Sequence, residues 1–435
     1  MSILLNPAVL SVLLLCILCL RKVNVLLAII VSSITAGLLS GMDIKNIMDT
    51  FISGMGGNSE TALSYILLGT FAATMAHSGF TGVLSEKISK IISGKKYVLI
   101  LILTLIAMAS QNIIPIHIAF IPIIIPPLLS TMNKLNLDRR AVASALAFGL
   151  KMPYITIPVG FGLIFQNLIA DNIIQNGVDV LRNDIWKSTV ILGLGMIFAL
   201  LVSIFITYRK PRIYEDRPLN FKIPENVECS KKTIFIVILS AVLTFVVQLI
   251  THSLPLGALV GLGVIFSLKV IPKHKMDSMM NEGIYLMGYV AFVMLVASGF
   301  ASVLKETGSI ESLVTSALAI MPQNIFVASI IILILGLFIT IGIGTSFGTI
   351  PILAVLFVPI CVKLGFNVQQ IIVLLAAAAA LGDAGSPASD TTLGPTSGLN
   401  ADGQHNHIFD TCIPTFIHYN TALIIFALIA VNLFS

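Results

Sequence analysis

The chain alternates long apolar blocks with narrow polar clusters. Blocks lie at roughly 3–20, 23–40, 60–80 and 185–208, and again at roughly 233–251, 255–270, 283–303 and 411–433. Each is close to the ~20 residues that a helix needs to cross a hydrocarbon core. Two other stretches are too long for one crossing. Residues 97–132 are broken by Ser110-Gln111-Asn112, and residues 325–363 by Gly342-Ile343-Gly344-Thr345-Ser346-Phe347-Gly348-Thr349. Each predicts a re-entrant hairpin of two short helices. Its polar tip sits at membrane depth, which is tolerable only inside protein or beside a water-filled cavity. Two ordinary short spans joined by a polar turn would give the same pattern. After each hairpin comes an interrupted helix. The first covers 139–172 and breaks near Lys151-Met152-Pro153-Tyr154-Ile155-Thr156-Ile157-Pro158-Val159-Gly160. The second covers 368–400 and breaks at Gly382-Asp383-Ala384-Gly385-Ser386-Pro387-Ala388-Ser389-Asp390-Thr391-Thr392. Pro and Gly remove or distort helical hydrogen bonds, so both breaks predict unwound backbone.

The order therefore repeats: three helices, a hairpin, a broken helix, a helix. Ser78-Gly79-Phe80, Val83-Leu84 and Glu86 match Ser298-Gly299-Phe300, Val303-Leu304 and Glu306, six identities in nine positions at a constant offset of 220. Leu135-Asn136-Leu137-Asp138 resembles Leu364-Gly365-Phe366-Asn367 in the same way. A re-entrant hairpin does not cross, so each half crosses five times and the second half is inverted relative to the first. This is the inverted-repeat plan of secondary transporters, whose site lies at the repeat interface. The expected fold is an all-α polytopic membrane protein with about ten transmembrane helices, two re-entrant hairpins and two interrupted helices. Its parts are a first inverted repeat over 1–208, a cytoplasmic linker over 209–232 and a second inverted repeat over 233–435.

Composition excludes a soluble domain of any size. The chain is 57% hydrophobic and 10% charged, with a mean hydropathy of +1.02, where ordinary soluble domains carry about a quarter charged residues. The net charge of +5 comes from loop lysines and arginines, which report orientation and not nucleic-acid binding. With the N-terminus outside, nineteen of the 25 lysines and arginines fall on inner loops and five on outer ones, with Lys151 left in the first interrupted helix. That split obeys the positive-inside rule and puts both termini outside a bacterial inner membrane. It does not separate hairpins from paired spans. Arg21 and Lys22 follow the first apolar run, and no small-residue cleavage site is evident, so that run reads as a retained helix. Cys16, Cys19, Cys229, Cys361 and Cys412 form neither a metal spacing nor a disulfide framework. Residues 83–92 place Val83, Leu84, Ile88, Ile91 and Ile92 on one helical face with Lys87 and Lys90 opposite. They predict an interfacial helix, either a lateral arm or a lipid-facing loop.

Chemistry is expected at the polar interruptions. A carboxylate at the bilayer centre costs on the order of 2.5–3.5 kcal/mol, so Asp383 and Asp390 should face a site or a partner. With Ser389, Thr391 and Thr392 they offer hard oxygen ligands suited to Na⁺, and the same carboxylates could carry protons. Lys151 falls near the repeat counterpart of Asp383. It could neutralise Asp383, bind a substrate carboxylate, or reach an interface. Ser110, Gln111 and Asn112 at the first tip, Thr345, Ser346 and Thr349 at the second, and Thr156 and Ser386 at the breaks are candidate solute contacts through hydroxyl and amide groups. His117, His405, His407 and His418 read more readily as hydrogen-bonded packing residues, and their spacing argues against a zinc site. The GxxxxGK[ST] phosphate loop is missing, which argues against an ATP-driven pump. No nucleophile–base set suggests an enzyme, and paired hairpins fit occlusion better than a passive channel.

The string Gly382-Asp383, Ser386-Pro387, Ser389-Asp390-Thr391-Thr392 resembles the G-D-K-x-S-P-x-S-D-T-T motif of the NhaC-type Na⁺/H⁺ antiporter family. Its continuation through Asn400-Ala401-Asp402-Gly403-Gln404-His405, and Gln111-Asn112-Ile113-Ile114-Pro115-Ile116-His117, are similar to a bacterial branch of amino-acid permeases within the ion-transporter superfamily. Ala384 stands where the antiporter motif has Lys, which weakens the transfer of pure Na⁺/H⁺ exchange. The resemblance implies homodimers, a scaffold domain and an elevator-like transport domain surrounded by membrane lipid. The expected function is secondary transport of a small organic solute, an amino acid, coupled to Na⁺ or H⁺ with no other cofactor. Na⁺/H⁺ exchange without organic cargo is the alternative.

Overall fold

A computed structural model describes residues 5–80, 83, 87, 94–112, 121–217, 229–251, 253–319 and 324–434, and every regular element among them is helical. The first half holds α1 (Pro7–Leu20), α2 (Val25–Leu39), α3 (Ile44–Gly54), α4 (Ser59–His77), α5 (Lys96–Asn112), α6 (Ile121–Lys134), α7 (Arg139–Thr156), α8 (Phe161–Gln175) and α9 (Ile185–Val202). The second holds α10 (Lys231–Thr251), α11 (Leu254–Ser267), α12 (Met276–Glu306), α13 (Ser309–Ala319), α14 (Ile325–Ile343), α15 (Ser346–Lys363), α16 (Val368–Ala380), α17 (Asp390–Leu399) and α18 (His407–Leu433). Polar residues between the apolar blocks are helix caps. Asn6, Asn24, Asp43, Asp138, Ser253, Asn324, Asn367 and Ser389 each accept a backbone N–H of the turn they precede, satisfying donors the helix leaves orphaned.

All eight apolar blocks became helices, with some differences in extent. α12 runs for 31 residues and exceeds the 283–303 block, because its first turns are polar and exposed. The expected hairpin arms at 325–363 are not short. α14 has 19 residues and α15 has 18, each long and apolar enough to cross a membrane. By length and composition six described helices can cross, or seven if the bent pair α7–α8 is one span. The count of ten thus depends also on shorter apolar helices, among them α1, α2, α5, α11 and α16. Sequence reasoning overlooked α3, whose only buried side chains are Ile47 and Phe51. Four residues apart, they form one narrow stripe and no block. The expected interfacial helix over 83–92 and His117 lie outside the described residues, apart from Val83 and Lys87, which are helical.

Small residues let the helices approach closely. α4 and α12 pack antiparallel along their length: Asn58 Nδ2 donates to the Met294 carbonyl at one end (2.9 Å), and His77 Nε2 meets Glu282 at the other (2.7 Å). Between them a Cβ on Gly283 would lie 2.3 Å from Thr70 Oγ1, so a larger residue would force the pair apart.

Both expected breaks are present. α7 stops at Thr156 and α8 restarts at Phe161 with a 48° bend. α16 stops at Ala380 and α17 restarts at Asp390. α5 packs on α7 and α14 on α16, while α6 packs on α17 and α15 on α8. The second arm of each helix pair therefore lies against the broken helix of the other half.

One buried ion pair ties the two broken helices together beside this crossing. Arg139, at the start of α7, donates from both terminal nitrogens to Asp402 just beyond α17, at 2.7 and 2.6 Å. The same guanidinium also donates to the Leu399 carbonyl and to Asn133, and it lies over the Tyr214 ring. Burial alone would raise the Asp402 pKa, but the hydrogen bonds and charge of Arg139, with help from Gln404, hold it below the ordinary carboxylate value. A depressed folded-state pKa means the pair stabilises the fold above the unfolded pKa of about 3.9, and this contribution is lost as pH falls further through the folded value. Asp402→Asn strands a buried guanidinium and should cost on the order of 3–5 kcal/mol, while neutralising both partners with apolar residues should recover much of it. Thermal unfolding of the detergent-solubilised protein checks this. An Asp402→Asn variant as stable as the parent at pH 7 would contradict it.

Candidate functional site

The break between α16 and α17 is built from residues that cannot be exchanged freely. Gly382 adopts φ +80°, and a Cβ there would lie 2.7 Å from the Ile341 amide nitrogen and the Leu337 carbonyl. Gly385 adopts φ +98°, with Phe416 in the space a Cβ would need. Backbone freed by the break is satisfied by side chains, as unwound backbone at membrane depth requires. Asn420 on α18 bonds the Gly382 N–H (3.3 Å) and the Ala384 carbonyl (2.9 Å). Thr392 Oγ1 lies within hydrogen-bond distance of the Ser386 and Ser389 carbonyls. His407 Nε2 donates to the Pro387 carbonyl (2.9 Å), so its Nδ1 is the acceptor for the Thr396 hydroxyl (2.8 Å). The α7–α8 break is served the same way. Asn112 Nδ2 lies 3.1 Å from the Pro153 carbonyl and 3.2 Å from that of Ile157.

Asp383 sits in the α16–α17 break, 3% exposed. Its Oδ2 accepts the Lys151 ammonium at 2.8 Å and lies 3.0 Å from both Tyr154 Oη and Ser346 Oγ; its Oδ1 accepts Ser389 Oγ. Tyr154 and Ser346 are also 2.9 Å apart. Two hydroxyls carry two protons for three short separations, so one separation always lacks a proton. Lys151 and Tyr154 are three residues apart on α7, which puts them on one face. Ser346 opens α15, whose N-terminal end points its partial positive charge at the same carboxylate. Tyr154 and Phe165 pack around Phe347, with ring centroids 5.0–5.5 Å apart, which fixes both Tyr154 and the start of α15.

A cavity of about 300 Å³ opens beside this cluster. It is lined by Asp383, Asp390, Thr391, Ser346, Thr345 and Gln111, together with Asn58, Glu60, Ser64, Tyr65, Gln248 and Met294. Tyr65 on α4 donates to Asp390 Oδ2 at 2.8 Å. Gln111 Oε1 has no hydrogen-bond partner among the described residues.

The expected site residues divide into three groups. Gln111, Thr345, Ser346, Asp383, Asp390 and Thr391 line the cavity. Lys151 and Ser389 do not line it but bond Asp383, while Thr392, Ser386 and Asn112 bond backbone groups at the two breaks. Ser110, Thr156 and Thr349 bond carbonyls of their own helices or caps, and Thr156 packs against Gly193 on α9. Of the three roles open to Lys151, the geometry shows the pair with Asp383. Sequence reasoning missed Tyr154 as a ligand of Asp383, although it stands within the quoted break. It also missed Tyr65, Glu60 and Gln248, whose only signal was a polar group inside or beside an apolar block.

A family model described as "Na+/H+ antiporter family" matches residues 145–431, and a second of closely similar description matches residues 6–92. VP2115, a membrane protein of Vibrio parahaemolyticus, is 45% identical over 98% of this chain and 99% of its own length. A Bacillus subtilis protein named "Putative amino acid transporter YuiF" is 43% identical over the same shares of the two chains. Among solved structures, the YdaH transporter of Alcanivorax borkumensis aligns with a TM-score of 0.45 at 12% identity, covering 90% of this chain and 88% of that one. The first family match takes in α7 from Ala145 onward, both broken-helix junctions, and Lys151, Tyr154, Ser346 and Ser389 around Asp383. The chain belongs to the Na⁺/H⁺ antiporter family.

Proposed function

We propose that this multi-pass membrane protein is a secondary transporter that carries an amino acid through the cavity beside Asp383 and Asp390, coupled to Na⁺ or H⁺. One observation carries the reading: the cavity presents groups for both ends of a zwitterion. Asp390, Glu60 and Tyr65 suit an ammonium, while the first turn of α15 at Ser346, Phe347 and Gly348 suits a carboxylate. Phe161, Ile164, Leu254 and Met294 supply apolar surface for a side chain. A volume of about 300 Å³ is at the small end of ligand pockets, which favours a small solute. The name of the Bacillus subtilis relative points the same way.

Asp383 is held by both of its oxygens. Four donors already surround it, so a coupling Na⁺ reaches it only by displacing one of them, and Lys151 is the donor whose loss leaves the charge balanced. Cation entry at Asp383 is thereby linked to release of the Lys151 ammonium, and proton coupling uses the same pair. Ser389, Thr391 and Thr392 complete the cation's surroundings. This linkage also favours the second reading, Na⁺/H⁺ exchange without organic cargo, which the family description supports.

The reading extends to an elevator movement of two inverted repeats in a homodimer, with both termini outside a bacterial inner membrane. The crossed packing of α6 on α17 and α15 on α8 supports the repeats.

Asp383→Asn should abolish dependence on an imposed Na⁺ or pH gradient; because it also strands the Lys151 ammonium, transport is compared at equal amounts of inserted, monodisperse protein. If Asp383→Asn and Asp390→Asn, separately and together, keep the parent's ion dependence in proteoliposomes, both carboxylates are structural. Lys151→Met alone strands the Asp383 carboxylate at a cost on the order of 3–5 kcal/mol, and adding Asp383→Asn should restore much of that stability. A double-mutant cycle on thermal stability reads this coupling. Additive effects would refute the pairing, and loss of solute binding without rescue would move Lys151 into direct contact with a substrate carboxylate.

A further inference from the structure

A second cavity, of about 420 Å³, lies on the same seam between α12 and α17. Its polar lining includes the Lys22 ammonium, the amides of Asn24, Asn400 and Asn406, the hydroxyls of Thr396 and Ser397, two tyrosines and His407. The positions of the two cavities can be read along the helices. On α12 the first cavity is lined by Met294, near the Asn58 end of the α4–α12 pair, and the second by residues 285–290, near the His77–Glu282 end. On α17 the first turn, Asp390 and Thr391, lines the first cavity, and Leu393, Thr396, Ser397 and Asn400 line the second. From Val290 to Met294 is four residues, about 6 Å of helix, and from Thr391 to Leu393 is two, about 3 Å. The two cavities are thus separated by a helical turn or less. The side chains at that level, Leu393, Val290 and Met294, are apolar and each 3% exposed.

We infer that the second cavity is the other half of the solute route, and that Leu393 against Val290 is the septum closing it off from the binding cavity. The inference rests on the proposed transport through the first cavity. It adds a transit site for a small hydrophilic zwitterion, lined by amide, hydroxyl and imidazole groups and by the Lys22 ammonium, and it names the residue that prevents leakage. A septum of this kind must be dry and well packed, because an apolar layer blocks hydrated solutes only while no water-sized gap runs through it.

The test uses the full chain in proteoliposomes, with its five cysteines replaced by alanine and a single cysteine placed at Thr391 or Ser397. The probe is a membrane-impermeant methanethiosulfonate bearing a trimethylammonium group, applied to one face at a time. With Leu393 intact, Thr391→Cys should label from one face and Ser397→Cys from the other. Adding Leu393→Ala should abolish this sidedness, so that either face labels both positions. Val290→Ala serves in its place if Leu393→Ala does not insert. Labelling of both cysteines from one face, failure of Ser397→Cys to label from either, or sidedness that survives both alanine variants would overturn the inference. Labelling does not depend on what Asp383 binds. A failed Asp383→Asn coupling experiment would therefore remove the functional reading and leave this result standing.

Discussion

A buried ammonium and a buried carboxylate, Lys151 and Asp383, meet at 2.8 Å where two broken helices cross. Neither charge could remain there alone, since stripping one ion of water costs several kcal/mol and only the partner and its hydrogen bonds repay it. The rest of the local structure follows from that requirement. Tyr154, Ser346 and Ser389 fill the remaining acceptor positions of Asp383. Gly382 and Gly385 let the backbone turn so that the carboxylate points inward, and Asn420 and Thr392 bind the peptide groups that the turn sets free. In the family motif a Lys follows the first Asp. Here Ala384 takes that place and the cation beside Asp383 comes from α7.

An arrangement that needs every donor is also one that can be switched. On the proposed function, a cation entering at Asp383 competes with Lys151, so occupancy of the cavity and release of the Lys151 ammonium are linked. The Arg139–Asp402 pair, which fixes the start of α7 to the end of α17, is a different case. It lies outside both cavities and holds the crossing together whatever the cavity contains.

Much of this was legible in the sequence. Apolar blocks of about twenty residues announced the helices, and a Pro- and Gly-rich polar string inside such a block announced each break. Asp383, Asp390 and Lys151 stood out because charge in an apolar run is costly. Three kinds of feature were hidden. α3 has a two-residue apolar stripe and is not a block. Tyr65 and Tyr154 read as ordinary aromatic members of apolar helices, because nothing local tells a packed tyrosine from one that serves a distant carboxylate. The length of α14 and α15 was obscured because Gly344 and Thr345 interrupt the helix for only two residues, too few to reveal whether the arms are short.

On the proposed function, one cavity handles both an amino acid and its coupling ion. Uptake of labelled amino acids into proteoliposomes holding the unmodified protein, with Na⁺ and pH gradients imposed in turn, tests it most directly. Saturable uptake of at least one small amino acid is expected, rising with one of the two gradients. Na⁺-driven proton movement with no amino-acid uptake under either gradient would contradict it.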